Sequence, residues 1–263
     1  MTSFTRKTLL LSTLSAALLA AGLAAASAET VKVSVAAEPY PPFASKNSAG
    51  VWEGFEVDLA KAVCKAGKMD CDIVETAWDG IIPALTSKKI DVIWASMTIT
   101  PERSKTISFS IPYYNTPAEF IAPKADKLEF TKEGLKGKII GVQTSTIHAD
   151  YVTKTYGDAV TIKAYATQDE ANSDLAAGRV DLVLADAAAL DAFLASDAGA
   201  CCDAKNFPKD PIFEGGVGAG IRKEDTDLKA KFDAGITAVY KSGEFDTIAK
   251  KYFKYNVGTP PKS

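Results

Sequence analysis

Along this chain, short apolar runs alternate with stretches in which apolar positions recur every three or four residues. Val31–Ala36, Cys71–Thr76 and Ile90–Ala95 read as strands. Between them, Glu56–Ala66 gathers Val57, Leu59, Ala60 and Val63 on one helical face, and Trp78–Thr86 reads as a second helix. The pattern then returns: strand Lys138–Val142, helix Thr146–Tyr156, strand Val160–Tyr165, helix Gln168–Ala177, strand Val180–Leu184. Asp225–Lys241 and Glu244–Phe253 read as closing helices. Strands alternating with helices of this length predict an α/β fold with parallel sheets. The strand–helix order appears once before about residue 115 and again after about residue 137, so two lobes are expected, each with its own sheet.

The first residues change the picture, because they set the compartment. Arg6 and Lys7 precede an uncharged, Leu- and Ala-rich run from Thr8 to Ala26, and Ala26-Ser27-Ala28 offers small residues at a cleavage site. This reads as an export signal over residues 1–28, with a mature chain of 235 residues beginning near Glu29. That chain holds 28 basic and 33 acidic side chains, a formal charge of −5. A mildly acidic surface argues against nucleic acid or an anionic membrane as partner. Export also permits disulfides. Cys64, Cys71, Cys201 and Cys202 allow three complete pairings. Cys64 ends one predicted helix and Cys71 opens the next strand, so Cys64–Cys71 is the preferred bridge; Cys201 and Cys202 remain open as thiols or as an adjacent pair. Zinc is disfavoured, since no His sits at ligand spacing.

In open α/β sheets, ligands bind beyond the carboxyl ends of the strands. After the first strand come Glu38-Pro39-Tyr40-Pro41-Pro42-Phe43, where Tyr40 is a candidate aromatic wall and Phe43 a core plug. After the second comes Trp78. After the third, Ser96-Met97-Thr98-Ile99-Thr100-Pro101-Glu102-Arg103 combines hydroxyls, an N-cap followed by Pro, and an Arg one turn into a short helix. Such a guanidinium can grip a carboxylate through two parallel hydrogen bonds. In the second half, Thr146 and Ile147 open a helix whose free amides favour an anion. Asp186 follows a strand at a helix start, either as a cap or as the partner of an ammonium. His148, the only histidine, is expected at the surface or the rim. No nucleophile elbow or phosphate loop is present, so neither an enzyme nor a cofactor is expected.

The motifs Tyr40-Pro41-Pro42-Phe43, Gly54-Phe55-Glu56-Val57-Asp58-Leu59, Trp78-Asp79-Gly80-Ile81-Ile82-Pro83, Met97 to Arg103, Gly141-Val142-Gln143, Gly178-Arg179-Val180-Asp181 and Gly220 to Asp225 together resemble the polar amino-acid binding proteins of ABC importers. The resemblance covers essentially the whole mature chain. It implies a type II periplasmic binding protein, each lobe a mixed, mostly parallel sheet flanked by helices, with two hinge strands. Lobe 1 would span 29–115 and 218–263, and lobe 2 would span 116–217, with hinges near 116–120 and 212–217. It further implies that Arg103 holds an α-carboxylate with the amides of Thr98 and Ile147. Asp186 would hold the α-ammonium with the Ser96 carbonyl and the Thr98 hydroxyl, while Tyr40 and Trp78 sandwich the side chain. The Cys64–Cys71 bridge has a counterpart in the histidine-binding relatives. The implied partners are an amino acid or opine and an inner-membrane permease, with the binding protein monomeric in the periplasm. The chain departs from the basic amino-acid binders at Ala37, where they carry an acidic residue, and Glu38 stands one position on as a substitute. Some prephenate or arogenate dehydratases share this fold, and Glu38 is the residue that could serve such an enzyme as its acid.

Overall fold

The computed structural model describes residues 30–261; the export signal read at 1–28 lies outside the described residues. The first half runs β1 Val31–Ala36, a small hairpin β2 Ser45–Lys46 and β3 Trp52–Glu53, α1 Phe55–Ala66, β4 Cys71–Thr76, α2 Ile81–Thr86, β5 Val92–Ile93, α3 Pro101–Thr106 and β6 Ser108–Phe109. The second half runs β7 Ala118–Pro123, β8 Ile139–Gln143, α4 Ile147–Tyr156, β9 Thr161–Tyr165, α5 Gln168–Ala176, β10 Leu182–Asp186, α6 Ala187–Leu194 and β11 Cys202–Asn206. The chain closes with β12 Gly220–Ile221, α7 Thr226–Lys241 and α8 Glu244–Tyr252.

Two five-stranded sheets form the lobes, in the orders β4-β1-β5-β12-β6 and β9-β8-β10-β7-β11. β1 runs parallel to β4 and β5, whereas β12 runs antiparallel to β5 and β6. In the second sheet β8 runs parallel to β9 and β10, and β7 runs antiparallel to β10 and β11. The two sheets therefore share one plan, with four strands aligned and one opposed. The opposed strand is in each case the one the chain reaches on crossing between lobes. β7 comes before the rest of its sheet in sequence, and β12 comes after the second lobe is complete. This is the mixed, mostly parallel α/β architecture expected. The crossings themselves escape a reading by alternation, because no βαβ unit contains them.

The first lobe is stabilised chiefly by α1, which buries Phe55, Leu59, Ala60 and Val63 in one cluster with Phe232, Ile236 and Val239 of α7 and Phe245 and Ile248 of α8, while Val57 packs on Val35 and Ala44. Burying a side chain of Val or Phe size contributes about 1.5–3 kcal/mol. Gly54 sets the entry of α1: its φ is +125°, and a Cβ there would lie 2.4 Å from the Phe43 carbonyl oxygen. The second lobe packs Phe120, Tyr151, Val152 and Tyr156 against Ile140, Val142 and Leu184. Cys64 is bonded to Cys71, joining α1 to β4, and the adjacent sulfurs of Cys201 and Cys202 also lie at bonding distance. Among the described residues no helix is long and apolar enough to cross a membrane.

Three expected elements differ from the sequence reading by more than one residue. The strand expected over Ile90–Ala95 holds its ladder only at Val92–Ile93, because Ser96 turns to a left-handed conformation, φ 52°, and leaves the sheet. The helix expected over Trp78–Thr86 divides into a 3-10 turn, Trp78–Gly80, and α2. The strand expected from Val180 starts at Leu182, since Asp181 receives the Ile139 amide and the Lys138 ammonium on its carboxylate.

Candidate functional site

Every one of the six aligned strands of the two βαβαβ units ends at one interlobe cleft of about 700 Å3, its open mouth included. From the first lobe it receives Glu38 and Tyr40 beyond β1, Trp78 beyond β4, and Ser96, Thr98 and Arg103 beyond β5. From the second lobe come Gln143 at the end of β8, Thr146, Ile147 and His148 beyond it, Gln168 beyond β9, and Asp186 at the end of β10. All nine residues nominated from sequence as ligand contacts line this one space. The return segment packs on the loop that carries Thr98: Ile99 donates to the Gly216 carbonyl and Gly218 to that of Met97. A Cβ at Gly215 would fall 2.0 Å from the Ile99 oxygen, so this close approach requires glycine.

Arg103 is set by α3. Thr100 caps that helix by accepting the Arg103 amide at 3.1 Å, and Pro101 occupies its first turn. The guanidinium then turns back over the cleft. Nη1 donates to the Thr98 carbonyl at 2.9 Å and Nη2 to the Ser145 carbonyl, across the cleft, at 3.2 Å. Its carbon lies 5.5 Å from the centre of the Trp78 ring. Burial lowers its pKa to about 10, opposed by Asp150 and Asp186, so it stays charged at neutral pH. Among the described residues no carboxylate comes within 4.0 Å of it, and a partly buried cation without a counter-ion is poised for an anion.

Asp186 stands at the opposite pole. It occupies the N-cap position of α6, yet its side chain makes no capping hydrogen bond. One oxygen instead accepts the Tyr40 phenol from the other lobe at 2.7 Å. Burial raises its pKa to about 6, with the Tyr40 hydrogen bond and the Arg103 charge pulling the other way. His148 corrects the expectation of a rim residue. It is buried and stacks on Phe213 with centroids 5.7 Å apart. Its Nε2 has no hydrogen-bond partner and lies 3.9 Å from the second Asp186 oxygen. Burial beside Arg103 lowers its pKa to about 3, so a neutral imidazole faces the aspartate.

Several of the remaining nominated side chains are already engaged in hydrogen bonds within the protein. Thr146 caps α4, accepting the Ala149 amide at 3.2 Å and donating to the Gln143 carbonyl at 2.7 Å. Its hydroxyl is used, while the amides of Ile147 and His148, the first of the helix, keep the N-terminal dipole open. Glu38 accepts the Trp78 amide at 3.0 Å, so it seats the Trp78 turn. Trp78 presents its ring to the cleft and donates Nε1 to the Thr144 carbonyl at 3.1 Å. Phe43 is buried and stacked on Tyr40, centroids 5.5 Å apart, as a core plug.

Glu56 was not nominated, although it lies in a quoted motif. It is fully buried beneath the cleft and receives the Ser96 amide and hydroxyl at 2.9 and 3.2 Å. The phenols of Tyr113 and Tyr114 donate to it at 3.0 and 2.9 Å. Burial raises its pKa to about 7 against the pull of these donors. It fixes the left-handed turn at Ser96, a conformation that costs a non-glycine residue on the order of 1–3 kcal/mol. Gln143 and Gln168 also went unnominated. For Gln168 a signal existed: it follows β9 at the same strand-end position as the others.

Known proteins resemble this chain over most of its length. An L-arginine-binding protein of Pseudomonas aeruginosa is 42% identical, with 83% of this chain and 86% of the relative covered. The lysine/arginine/ornithine-binding periplasmic protein of Escherichia coli K12 is 39% identical, covering 90% and 93%. Among solved structures, an ancestral arginine-binding protein bound to arginine superposes with a TM-score of 0.78 at 35% identity, over 85% of this chain and 98% of that one. These relatives are binding proteins by name, not enzymes. The family model for bacterial extracellular solute-binding proteins, family 3, matches residues 31–255, and the chain belongs to that family.

Proposed function

We propose that this protein captures an amino acid in the interlobe cleft and delivers it to the permease of an ABC importer, acting as a monomer in the periplasm after removal of residues 1–28. The observation that carries the reading is the pairing of poles: a partly buried Arg103 with no carboxylate partner and a partly buried Asp186 that caps nothing. An α-amino acid brings the complementary carboxylate and ammonium. Arg103 and the amides of Thr98 and Ile147 hold the carboxylate. Asp186, the Ser96 carbonyl and the Thr98 hydroxyl hold the ammonium. Tyr40 and Trp78 flank the side chain. In this reading lobe 1 comprises 29–115 and 218–263, lobe 2 comprises 116–217, and the hinges lie at 116–120 and 212–217.

Cationic amino acids rank first, opines second and small polar amino acids third. The relatives named for arginine and for lysine, arginine and ornithine support that order, as does the flat Trp78 face, on which a guanidinium stacks. The dehydratase alternative is disfavoured by the relatives, which are named as binding proteins, and by Glu38, which spends one oxygen on the Trp78 amide. A thermal-shift screen of amino acids and opines tests the proposal, since a ligand that binds only the folded state raises Tm. A rise confined to α-amino acids and opines supports it. No rise with any of them, together with conversion of prephenate to phenylpyruvate, overturns it.

A further inference from the structure

Two hydrogen bonds cross the cleft side by side from the first lobe to the second. Trp78 Nε1 donates to the Thr144 carbonyl at 3.1 Å, and Arg103 Nη2 donates to the Ser145 carbonyl at 3.2 Å. Their acceptors are consecutive peptide carbonyls of the β8–α4 turn. The donors are themselves coupled, for the guanidinium lies over the indole at 5.5 Å. Both ends of the arrangement are held. Glu38 pins the Trp78 amide and Thr100 the Arg103 amide. Ser145, at φ 57°, sits in a left-handed turn that L side chains rarely adopt.

We infer that Trp78 and Arg103 form a clasp on the Thr144–Ser145 turn, so that the indole N–H makes the aromatic wall of the slot a latch on lobe closure. The inference deepens the binding proposal and rests on it. A wall that only stacks could be any flat ring. A wall that also latches must keep one rotamer, and that rotamer fixes the slot width. A side chain that displaces the indole breaks the bond to Thr144 and loosens the closed state. Trp78 is thus a positioning and specificity residue whose N–H acts on closure, separately from its ring. Arg103 couples ligand to clasp, since the group that grips the carboxylate also holds the turn.

The test replaces Trp78 by an isosteric benzothienylalanine, which keeps the bicyclic ring and lacks the N–H, alongside Trp78→Phe. Stopped-flow binding of L-arginine reads the rates, and small-angle scattering of each protein with and without L-arginine reads closure. Loss of one neutral hydrogen bond should speed dissociation about three- to tenfold. The association rate should stay within about twofold, because interface changes act mostly on dissociation. Scattering should shift toward a larger radius of gyration in both variants. Unchanged dissociation in the isostere overturns the clasp. If wild type fails to bind L-arginine, the ligand assignment fails, and the scattering comparison alone decides: expansion in the isostere upholds the clasp, and an identical radius rejects it.

Discussion

At the scale of single residues the cleft is a set of groups held at a cost. Asp186 is the clearest case. Its pKa is raised to about 6 by burial, so the folded state binds a proton more tightly than the unfolded chain does. Its ionised form therefore destabilises the fold above about pH 6, and this penalty fades as pH falls toward the ordinary aspartate range. Asp186→Asn should remove the penalty and keep the acceptor for Tyr40. At pH 7.5 the variant should be more stable by about 1–3 kcal/mol and melt a few degrees higher, while losing affinity for every α-amino acid by a similar factor. Calorimetric melting and titration check the two halves. Lower stability, or unchanged affinity, would remove Asp186 from the site. In wild type, affinity should weaken by up to about tenfold per unit as pH drops below 6, because a protonated carboxyl no longer attracts an ammonium. Glu56 titrates near 7 and His148 stays neutral down to about 3. Hence only the component lost in Asp186→Asn belongs to Asp186. At the other pole, Arg103→Ala should weaken binding at least about thirtyfold, given about 2–5 kcal/mol for truncating one partner of a buried charge pair. Its fold should survive, since the guanidinium bridges only carbonyls at the cleft edge.

At the scale of elements, sequence reading worked where alternation and caps speak locally. β1 and β4 match the expected strands residue for residue, and α1, α4 and α7 match to within one residue. The gathering of Arg103, Asp186, Tyr40 and Trp78 also followed, because strand ends are where open sheets place ligands. What escaped was decided by tertiary contact. β6 and β12 are two residues each, too short for any period. The loss of ladder after Ile93 depends on Glu56, forty residues earlier, receiving Ser96. The burial of His148 depends on Phe213 returning against it, which no local signal announces. The Cys64–Cys71 bridge was legible, since helix and strand place those residues at the two ends of one short turn. Replacing both by Ser should cost about 2–3 kcal/mol by loop-closure entropy, a fall in Tm of about 5–10 °C. The bridge joins the far end of α1 to the start of β4, opposite the strand ends that form the cleft. Affinity should therefore be unchanged, and a tenfold loss would mean that the bridge supports the cleft.

At the scale of the whole molecule, two lobes built on one plan turn their strand ends toward each other, and the chain crosses between them through β7 and the segment before β12. No single lobe carries both poles: Arg103 belongs to the first and Asp186 to the second. A ligand that satisfies both ties the lobes together, and its affinity is spent partly on closure. The central claim, that the cleft recognises the two charged ends of an amino acid, is tested most directly by titration calorimetry with three related compounds. These are L-arginine, its decarboxylated analogue agmatine, and its analogue lacking the α-amino group. The account predicts one L-arginine bound per chain and at least about thirtyfold weaker binding of either analogue, since each leaves one buried charge without its partner. Equal affinity for all three, or no binding of L-arginine or any other amino acid, would contradict it.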